Sequence, residues 1–179
     1  MFKIILLVIV VLVVVFAIVA ALQPSKFRIA RSILVAAPPA VAFAQVEDFR
    51  IWPAWSPYEK LDPNLQRRYE GPAIGEGAIY DWAGNKDAGE GRATVLESRP
   101  GERMRIQLAF RKPFQATNLA EFAFKPVGDK TEVTWSMSGE KNFMFKAIGL
   151  FMDCDKMCGD QFEQGLAQLK STVETEKKP

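Results

Sequence analysis

The sequence contains no histidine among its 179 residues. Histidine is the usual general base, the usual activator of a nucleophile and the commonest metal ligand, so its absence excludes most hydrolase arrangements. Strong charge is also lacking, since a net charge of +2 leaves no electrostatic footprint for nucleic acid. No nucleotide-binding loop is present either, because the glycines between residues 75 and 91 lie between strand candidates and not before a helix.

Cysteine is scarce, the two thiols being Cys154 and Cys158. They lie four residues apart on one face of a predicted helix, where a disulfide would strain the backbone. A tetrahedral zinc site would need carboxylates from elsewhere in the chain. We therefore interpret both thiols as small apolar side chains. We expect no metal and no cofactor.

One long apolar run dominates the N-terminus. It begins at Ile4 and ends at Leu22, 19 residues without a charge. As a helix it would be about 29 Å long, close to the hydrocarbon thickness of a bilayer. A secretory signal is the alternative, because Val19-Ala20-Ala21 resembles a cleavage site, but signal cores usually run about 7 to 15 residues. We predict an uncleaved single-pass membrane anchor and linker over residues 1–25.

The charges that flank the run bear on its orientation. Lys3 precedes it, whereas Lys26, Arg28 and Arg31 follow it closely. The positive-inside bias then favours a domain in the cytoplasm. A three-residue tail is a small sample, so a periplasmic or extracellular domain stays open as the alternative.

The remainder, residues 26–175, predicts one α+β domain. Residues 26–36 alternate between apolar and polar as a half-buried strand does. Residues 39–48 are predicted as a short helix and the proline-rich residues 49–57 as a packed loop. Six further strand candidates follow, at residues 66–70, 77–83, 91–98, 103–110, 115–125 and 131–137. Their short connections leave no room for crossover helices, which predicts an antiparallel sheet.

Near the C-terminus, from about residue 142 to 170, apolar residues recur at helical spacing. The stripe consists of Phe151, Cys154, Cys158, Phe162, Gly165, Leu169 and Val173. Because a sheet must cover such a stripe, we predict one long terminal helix clasped by a curved sheet. A kink or break between Asp153 and Gly159 is the alternative.

Several segments carry a family resemblance. They are Ala37-Pro38-Pro39-Ala40-Val41-Ala42-Phe43, Asp48-Phe49-Arg50-Ile51-Trp52-Pro53-Ala54-Trp55-Ser56-Pro57, Gly75-Glu76-Gly77-Ala78-Ile79-Tyr80-Asp81-Trp82 and Val133-Thr134-Trp135. In this order, between a first strand and a long closing helix, they resemble the START-like superfamily. More narrowly, they look like its SRPBCC group, often labelled polyketide cyclase/dehydrase or lipid-transport family. The resemblance implies a helix-grip cavity for apolar ligands and no particular reaction.

Strand parity predicts what faces the interior. The candidate cavity residues are Tyr80, Trp82, Leu108, Asn118, Phe122, Trp135 and Met137 on the sheet, with Phe151, Asp155, Cys158 and Phe162 on the helix. An ordinary filled core is the alternative, and the family resemblance favours the cavity. A larger side chain at Gly165 is then expected to enter that cavity.

Two of these candidates are polar. Asn118 has the inward parity of Phe122, so its amide either orients the polar head of a ligand or is satisfied by backbone at a bulge. Asp155 lies about 40° from the centre of the apolar stripe. It is either a cavity acid with a raised pKa or a flanking residue that pairs with an Arg of the sheet.

Two further patterns have open interpretations. Gly159 and Gly165 each cost a helix about 1 kcal/mol relative to Ala, and they leave room for a ligand or for close packing. Arg103, Arg105 and Arg111 share an outward parity. This basic stripe is either attracted to anionic lipid or is a solvated outer face.

We favour a membrane-anchored protein that binds a lipid or another apolar small molecule. The first alternative is a cyclase or dehydrase type of enzyme, in which Asp155, Tyr80 and Asn118 are the candidates for handling protons or orienting the substrate. The second is a regulatory module whose helix and sheet surface contacts an unknown protein partner. The sequence identifies neither the ligand nor a reaction.

Overall fold

The computed structural model describes residues 2–176, so Met1 of the predicted anchor lies outside the described part. Helix α1 (Phe2–Leu22) is followed by β1 (Lys26–Val35), α2 (Pro39–Glu47) and two 3₁₀ helices (Phe49–Ala54 and Pro57–Lys60). The remaining elements are β2 (Gln66–Glu70), β3 (Ile79–Ala83), β4 (Glu90–Arg99), β5 (Arg103–Lys112), β6 (Ala116–Val127), β7 (Lys130–Glu140), α3 (Phe143–Ile148) and α4 (Cys154–Glu176).

Within the described residues, seven strands form one antiparallel sheet in the order β1-β7-β6-β5-β4-β3-β2. Strands β2 to β7 are neighbours in the order of the chain, as the short connections predict. Strand β1 pairs with β7 from Lys26↔Glu140 to Val35↔Thr131, so the first strand lies at the edge beside the last. This antiparallel sheet with a C-terminal helix confirms the predicted fold class.

Helix α4 covers the concave face of the sheet. Its buried stripe consists of Phe162, Leu166, Leu169 and Val173, each no more than 1% exposed. Phe162 stacks on Trp135 of β7 with ring centroids 4.3 Å apart. Because each fully buried side chain of this kind contributes about 1.5–3 kcal/mol, the stripe is a main source of the stability of the fold.

The predicted long terminal helix is confirmed as α4, but it begins at Cys154 and not near residue 142, because α3 and a break precede it. Each helix has its own N-cap: the Asn142 side chain accepts a hydrogen bond from the Phe145 amide, and that of Asp153 accepts one from the Lys156 amide. Asn and Asp are strong N-cap residues, so both helices begin at sequence-encoded starts. The break lies just before the interval in which a kink was considered.

Gly159 has a steric role in the attachment of α4. The Arg31 side chain of β1 lies across it and bonds to Asp155 (Nη2–Oδ2, 3.1 Å) and to Glu163 (Nε–Oε1, 2.9 Å). A Cβ atom at position 159 would lie 2.0 Å from the Arg31 guanidinium. The glycine therefore makes room for an ion-paired arginine, and not for a ligand.

Helix α1 is long and apolar enough to cross a membrane, a property it shares with an N-terminal signal sequence. Its side chains are almost all exposed. It contacts the domain near its C-terminal end, where Phe16 stacks on Phe151 at 5.9 Å between centroids. The Lys146 ammonium of α3 also donates a hydrogen bond to the Ala21 carbonyl at 3.3 Å.

Candidate ligand-binding cavity

A cavity of about 280 Å³ lies between the concave face of the sheet, the start of α4 and the two 3₁₀ helices. Its walls are formed by Trp52, Ser56, Tyr58, Glu59, Leu65, Tyr80, Trp82, Ala88, Ala93, Leu108, Phe110, Ala120, Trp135, Met137, Cys158 and Phe162. Small-molecule sites usually measure about 300–1,000 Å³, so this cavity suits a small ligand. The interior is therefore not a completely filled core.

Tryptophan rings make up much of the wall. The Trp52 indole N–H donates to the Val46 carbonyl at 2.8 Å, and that of Trp82 donates to the Ala88 carbonyl at 3.2 Å. Their polar atoms are thus satisfied by backbone, which leaves the apolar ring surfaces for the cavity. Trp135 is held between Phe162 and Phe122 in two stacked contacts.

A buried carboxylate, that of Glu59, lies in the wall. Its side chain is 4% exposed, and Oε2 accepts a hydrogen bond from Arg67 Nε at 2.7 Å. The Tyr80 hydroxyl donates to the other oxygen, Oε1. Burial and this hydrogen bond raise the pKa of Tyr80 well above its usual value, so Tyr80 stays a neutral hydroxyl at physiological pH.

Ser56 is the second polar group of the wall. It is 1% exposed, and its Oγ has no hydrogen-bond partner among residues 2–176. Ser56 is the N-cap residue of the second 3₁₀ helix, yet its side chain makes no capping bond. Buried hydroxyls are normally hydrogen-bonded, so this one is available to whatever occupies the cavity.

Cys158 presents a half-buried thiol to the cavity. Burial raises the pKa of this thiol, with smaller contributions from Cys154 and Asp155. A thiol of raised pKa is protonated at neutral pH and is a poor nucleophile and metal ligand. Across residues 2–176, no three His, Cys, Asp or Glu side chains are grouped so that they would hold a metal ion.

The structure brings seven of the eleven predicted cavity residues together at the wall: Tyr80, Trp82, Leu108, Trp135, Met137, Cys158 and Phe162. Five of them come from strand positions of inward parity and two from the stripe of α4. Alternation along a strand and the helical repeat therefore placed them on the correct faces.

Three predicted cavity residues lie elsewhere. Phe122 is fully buried in the packed core, where it contacts Trp52, Trp55 and Trp135. Phe151 is 78% exposed, because it precedes α4 and contacts α1. Asp155 pairs with Arg31 outside the cavity, which was the alternative interpretation of that residue.

Asn118 also lies outside the cavity wall. It has the inward parity expected of it, opposite Leu108 and Gly139, but lies near the start of β6. Its amide donates to the Met137 sulfur at 3.7 Å, a side-chain partner and not the backbone partner that was considered. Asn118 therefore contacts Met137, a residue of the cavity wall, without lining the cavity itself.

Gly165 does not face empty volume. A Cβ atom there would lie 2.7 Å from the Trp135 ring and 2.9 Å from Pro57 Cδ. The expectation that a larger side chain would enter the cavity is wrong, since α4 approaches both rings too closely. Gly165 is therefore a close-packing glycine.

The residues that sequence reasoning missed lie mainly between positions 52 and 65: Trp52, Ser56, Tyr58, Glu59 and Leu65. No strand or helix period applies to this segment, so parity gives no inward direction. A signal was present in Ser56-Pro57-Tyr58-Glu59, which has the S-x-x-E spacing of a capping box. Its meaning depends on side-chain directions that only the folded loop defines.

The basic stripe lies on the convex face and is neutralised there. Arg103 and Arg105 contact Glu97, at 2.7 and 3.5 Å between nitrogen and oxygen. Arg111 contacts Asp81 at 3.0 Å. These arrangements favour the solvated outer face over a lipid-binding stripe.

Comparison with known families gives one match. Residues 26–174 match the family described as "Polyketide cyclase / dehydrase and lipid transport". No curated protein matches the chain.

Solved structures share the fold at low sequence identity. Protein CV1439 from Chromobacterium violaceum is 17% identical, with a TM-score of 0.59, and the match covers 85% of this chain and 99% of that one. The Aha1 protein of Colwellia psychrerythraea, solved as a dimer, is 18% identical, with a TM-score of 0.61 and coverages of 85% and 99%. Ara h 8.0201 is 15% identical, with a TM-score of 0.56 and coverages of 84% and 99%. At these identities the similarity establishes the fold alone.

Proposed function

The chain belongs to the polyketide cyclase/dehydrase and lipid transport family, and from that premise we propose that it is a membrane-anchored protein that binds an apolar small molecule. Residues 26–175 form the binding domain in this proposal, and residues 1–25 form the anchor and linker. The observation that carries the proposal is the aromatic cavity of about 280 Å³ under α4. A filled core of a domain this size would have no voids much larger than a water molecule.

Binding of naphthalene tests the proposal, because the cavity is walled by flat rings. The full chain in lipid nanodiscs is titrated while tryptophan fluorescence is followed, since Trp52, Trp82 and Trp135 line the cavity. We expect a saturable change in fluorescence. A wild-type response that is linear, as partition into lipid would produce, would refute the proposal.

A cavity-filling variant separates the cavity from the lipid background. Ala120 lies in the wall and is 3% exposed, so Ala120→Leu would occupy part of the space. The matched control is Ala123→Leu, on the opposite face of the same strand. We expect Ala120→Leu alone to remove the saturable response, while far-UV circular dichroism verifies that both variants are folded.

Contacts between α1 and the domain support the anchor over a cleaved signal. A cleaved helix would have no reason to pack on the mature domain, yet Phe16 stacks on Phe151. The side chains exposed at α3, the break and the start of α4 are also strongly apolar: Phe143, Met144, Phe151, Met152 and Met157. A bilayer around α1 would cover this patch, which lowers the cost of exposing it.

Intact mass and membrane fractionation test the anchor. We expect the full-length mass and sedimentation with membranes. A soluble protein that begins near Leu22 would refute it. Protease accessibility in sealed vesicles tests the cytoplasmic placement that Lys26, Arg28 and Arg31 favour.

The enzyme alternative has one supporting observation, the hydrogen bond from Tyr80 to Glu59 inside the cavity. Of its three proton-handling candidates, only Tyr80 lies in the wall. Under this alternative, Tyr80→Phe would abolish turnover of any substrate found, while Asp155→Asn would not change it. Turnover that survives Tyr80→Phe would show that Tyr80 is not the proton-handling group, and would leave the enzyme alternative without any of its three candidates.

A further inference from the structure

We propose that Ser56, Glu59 and Tyr80 form a polar subsite of the cavity, and that this subsite binds the uncharged hydroxyl group of an otherwise apolar, ring-containing ligand. The inference rests on the proposed function and narrows it to a class of ligand.

The first argument is the free hydrogen-bonding capacity of Ser56. Its buried Oγ lines the cavity without a partner in the described chain. A buried hydroxyl in that state is destabilising, and native proteins rarely retain one without a reason. A ligand hydroxyl can accept a hydrogen bond from it or donate one to it.

The second argument is that Ser56 and Glu59 do not make the local hydrogen bonds to backbone that their spacing predicts. Ser56 and Glu59 have the spacing of a capping box, in which each side chain would bond to the backbone of the other residue. Here Ser56 makes no cap, and Glu59 instead bonds to Arg67 and Tyr80. Both residues line the cavity.

The third argument concerns charge. The Glu59 carboxylate is already paired with Arg67, so the subsite has no uncompensated charge that would attract an ammonium group. A carboxylate ligand would meet the oxygens of Glu59, and the Tyr80 hydroxyl is already committed to one of those oxygens. Each oxygen of Glu59 accepts one bond from the protein and retains capacity for another. The subsite therefore suits an uncharged hydrogen-bond donor, such as a hydroxyl group of the ligand.

The remaining wall defines the rest of the ligand. Trp52 and Trp82 present ring surfaces, and Ala93 and Ala120 leave space beside them. Such surfaces favour flat apolar groups over flexible acyl chains, because stacked rings gain energy beyond the area they bury. The expected ligand is therefore a small cyclic alcohol or phenol.

A matched series of probes tests the subsite. Naphthalene, 2-naphthol and 2-naphthoate are titrated into the full chain in nanodiscs, and the response of Ala120→Leu is subtracted for each. We expect 2-naphthol to bind about three- to tenfold more tightly than naphthalene, the effect of one net hydrogen bond. We expect 2-naphthoate to bind most weakly.

Ser56→Ala removes the hydroxyl group of the subsite without removing a hydrogen bond within the described chain. We expect the preference for 2-naphthol over naphthalene to fall to about one, while the melting temperature is kept or raised, because an unpaired buried hydroxyl is removed. Ser171→Ala, the same deletion at an exposed position of α4, is the control and should retain the preference.

Two results would overturn the inference. If wild-type protein binds naphthalene and 2-naphthol equally, or if Ser56→Ala retains the preference, the cavity binds ligands without a hydroxyl subsite and the proposed function survives. If none of the three probes binds, the proposed function fails together with the inference.

Discussion

Polar residues are used in opposite ways on the two sides of the sheet. On the concave side, polar groups are few, and Ser56 and Glu59 are both buried at the cavity wall. On the convex side, acidic and basic side chains form partly exposed clusters. Asp81 contacts Arg92 and Arg111, and Glu97 contacts three arginines of β4 and β5.

Burial explains why polar groups on the two sides of the sheet differ in their contribution to stability. An ion pair in solvent contributes about 0–1 kcal/mol, because water screens it and competes for its partners. A buried polar group that loses its partner costs about 1–3 kcal/mol. The few polar groups of the concave side should therefore matter more to stability and binding than the many of the convex side. Glu59→Ala and Asp81→Asn test this contrast directly, and Trp135→Ala and Gly165→Ala measure how tightly the concave side is packed.

The largest effect is expected from Trp135→Ala. Trp135 is 4% exposed and stacks on both Phe122 and Phe162, so the substitution leaves a void at the centre of the concave side. We expect a loss of about 3–5 kcal/mol in the free energy of unfolding, measured with denaturant and far-UV circular dichroism. Phe114→Ala removes a ring that is 45% exposed, and an equal loss there would contradict the assignment of the core.

Next in size is Glu59→Ala, which leaves the buried Tyr80 hydroxyl without its acceptor. Arg67 is partly exposed and will be solvated, so the expected loss is about 1–3 kcal/mol. Adding Tyr80→Phe to Glu59→Ala should recover part of this loss, because no unpaired hydroxyl then remains. A double variant whose loss equals the sum of the two single losses would show that the two side chains are not coupled.

Gly165→Ala should cost less. The added methyl group would meet Trp135 and Pro57 below 3 Å. Overpacking costs about 1–3 kcal/mol and is offset by about 1 kcal/mol from replacing a helical glycine. We expect a net loss of up to about 2 kcal/mol by denaturant unfolding. Gln164→Ala, on the exposed side of the same helix, is the control, and a stabilising Gly165→Ala would mean that α4 does not approach Trp135 so closely.

The smallest effect is expected from Asp81→Asn on the convex face. Partial burial opposes the shift, but hydrogen bonds from Arg92 and Arg111 hold the pKa of Asp81 below its usual value. The unfolded chain therefore binds this proton more tightly, so the stabilisation is present above about pH 3.9 and is lost as the pH falls through the folded-state pKa.

At neutral pH we expect Asp81→Asn to cost no more than about 1 kcal/mol. Below about pH 4, its unfolding free energy should fall less steeply with falling pH than that of the wild type. Asp129→Asn, in the exposed turn between β6 and β7, is the control and should cost nothing measurable at neutral pH. A cost at neutral pH as large as that of Glu59→Ala would remove the contrast between the two faces.

Inward-facing residues could be predicted from the sequence where a segment has a strand or helix period. Alternation along β3, β5 and β7 placed Tyr80, Leu108 and Trp135 inward, and the helical stripe placed Cys158 and Phe162 against the sheet. Both periods are local properties of the backbone, so they require no knowledge of distant contacts. The antiparallel pairing of β2 to β7 also followed from their short connections, whereas the pairing of β1 with β7 did not.

The sequence by itself thus determined the class of the fold, the inward faces of the strands and the apolar N-terminal helix. Only the tertiary structure decided that Phe151 contacts α1, that Asp155 pairs with Arg31, and that Gly165 lies against Trp135. It also decided that Glu59, in a loop without a period, reaches Tyr80 some twenty residues away in the chain. The physical reason is that these contacts depend on how elements distant in sequence approach one another, and no local repeat of residues encodes that approach.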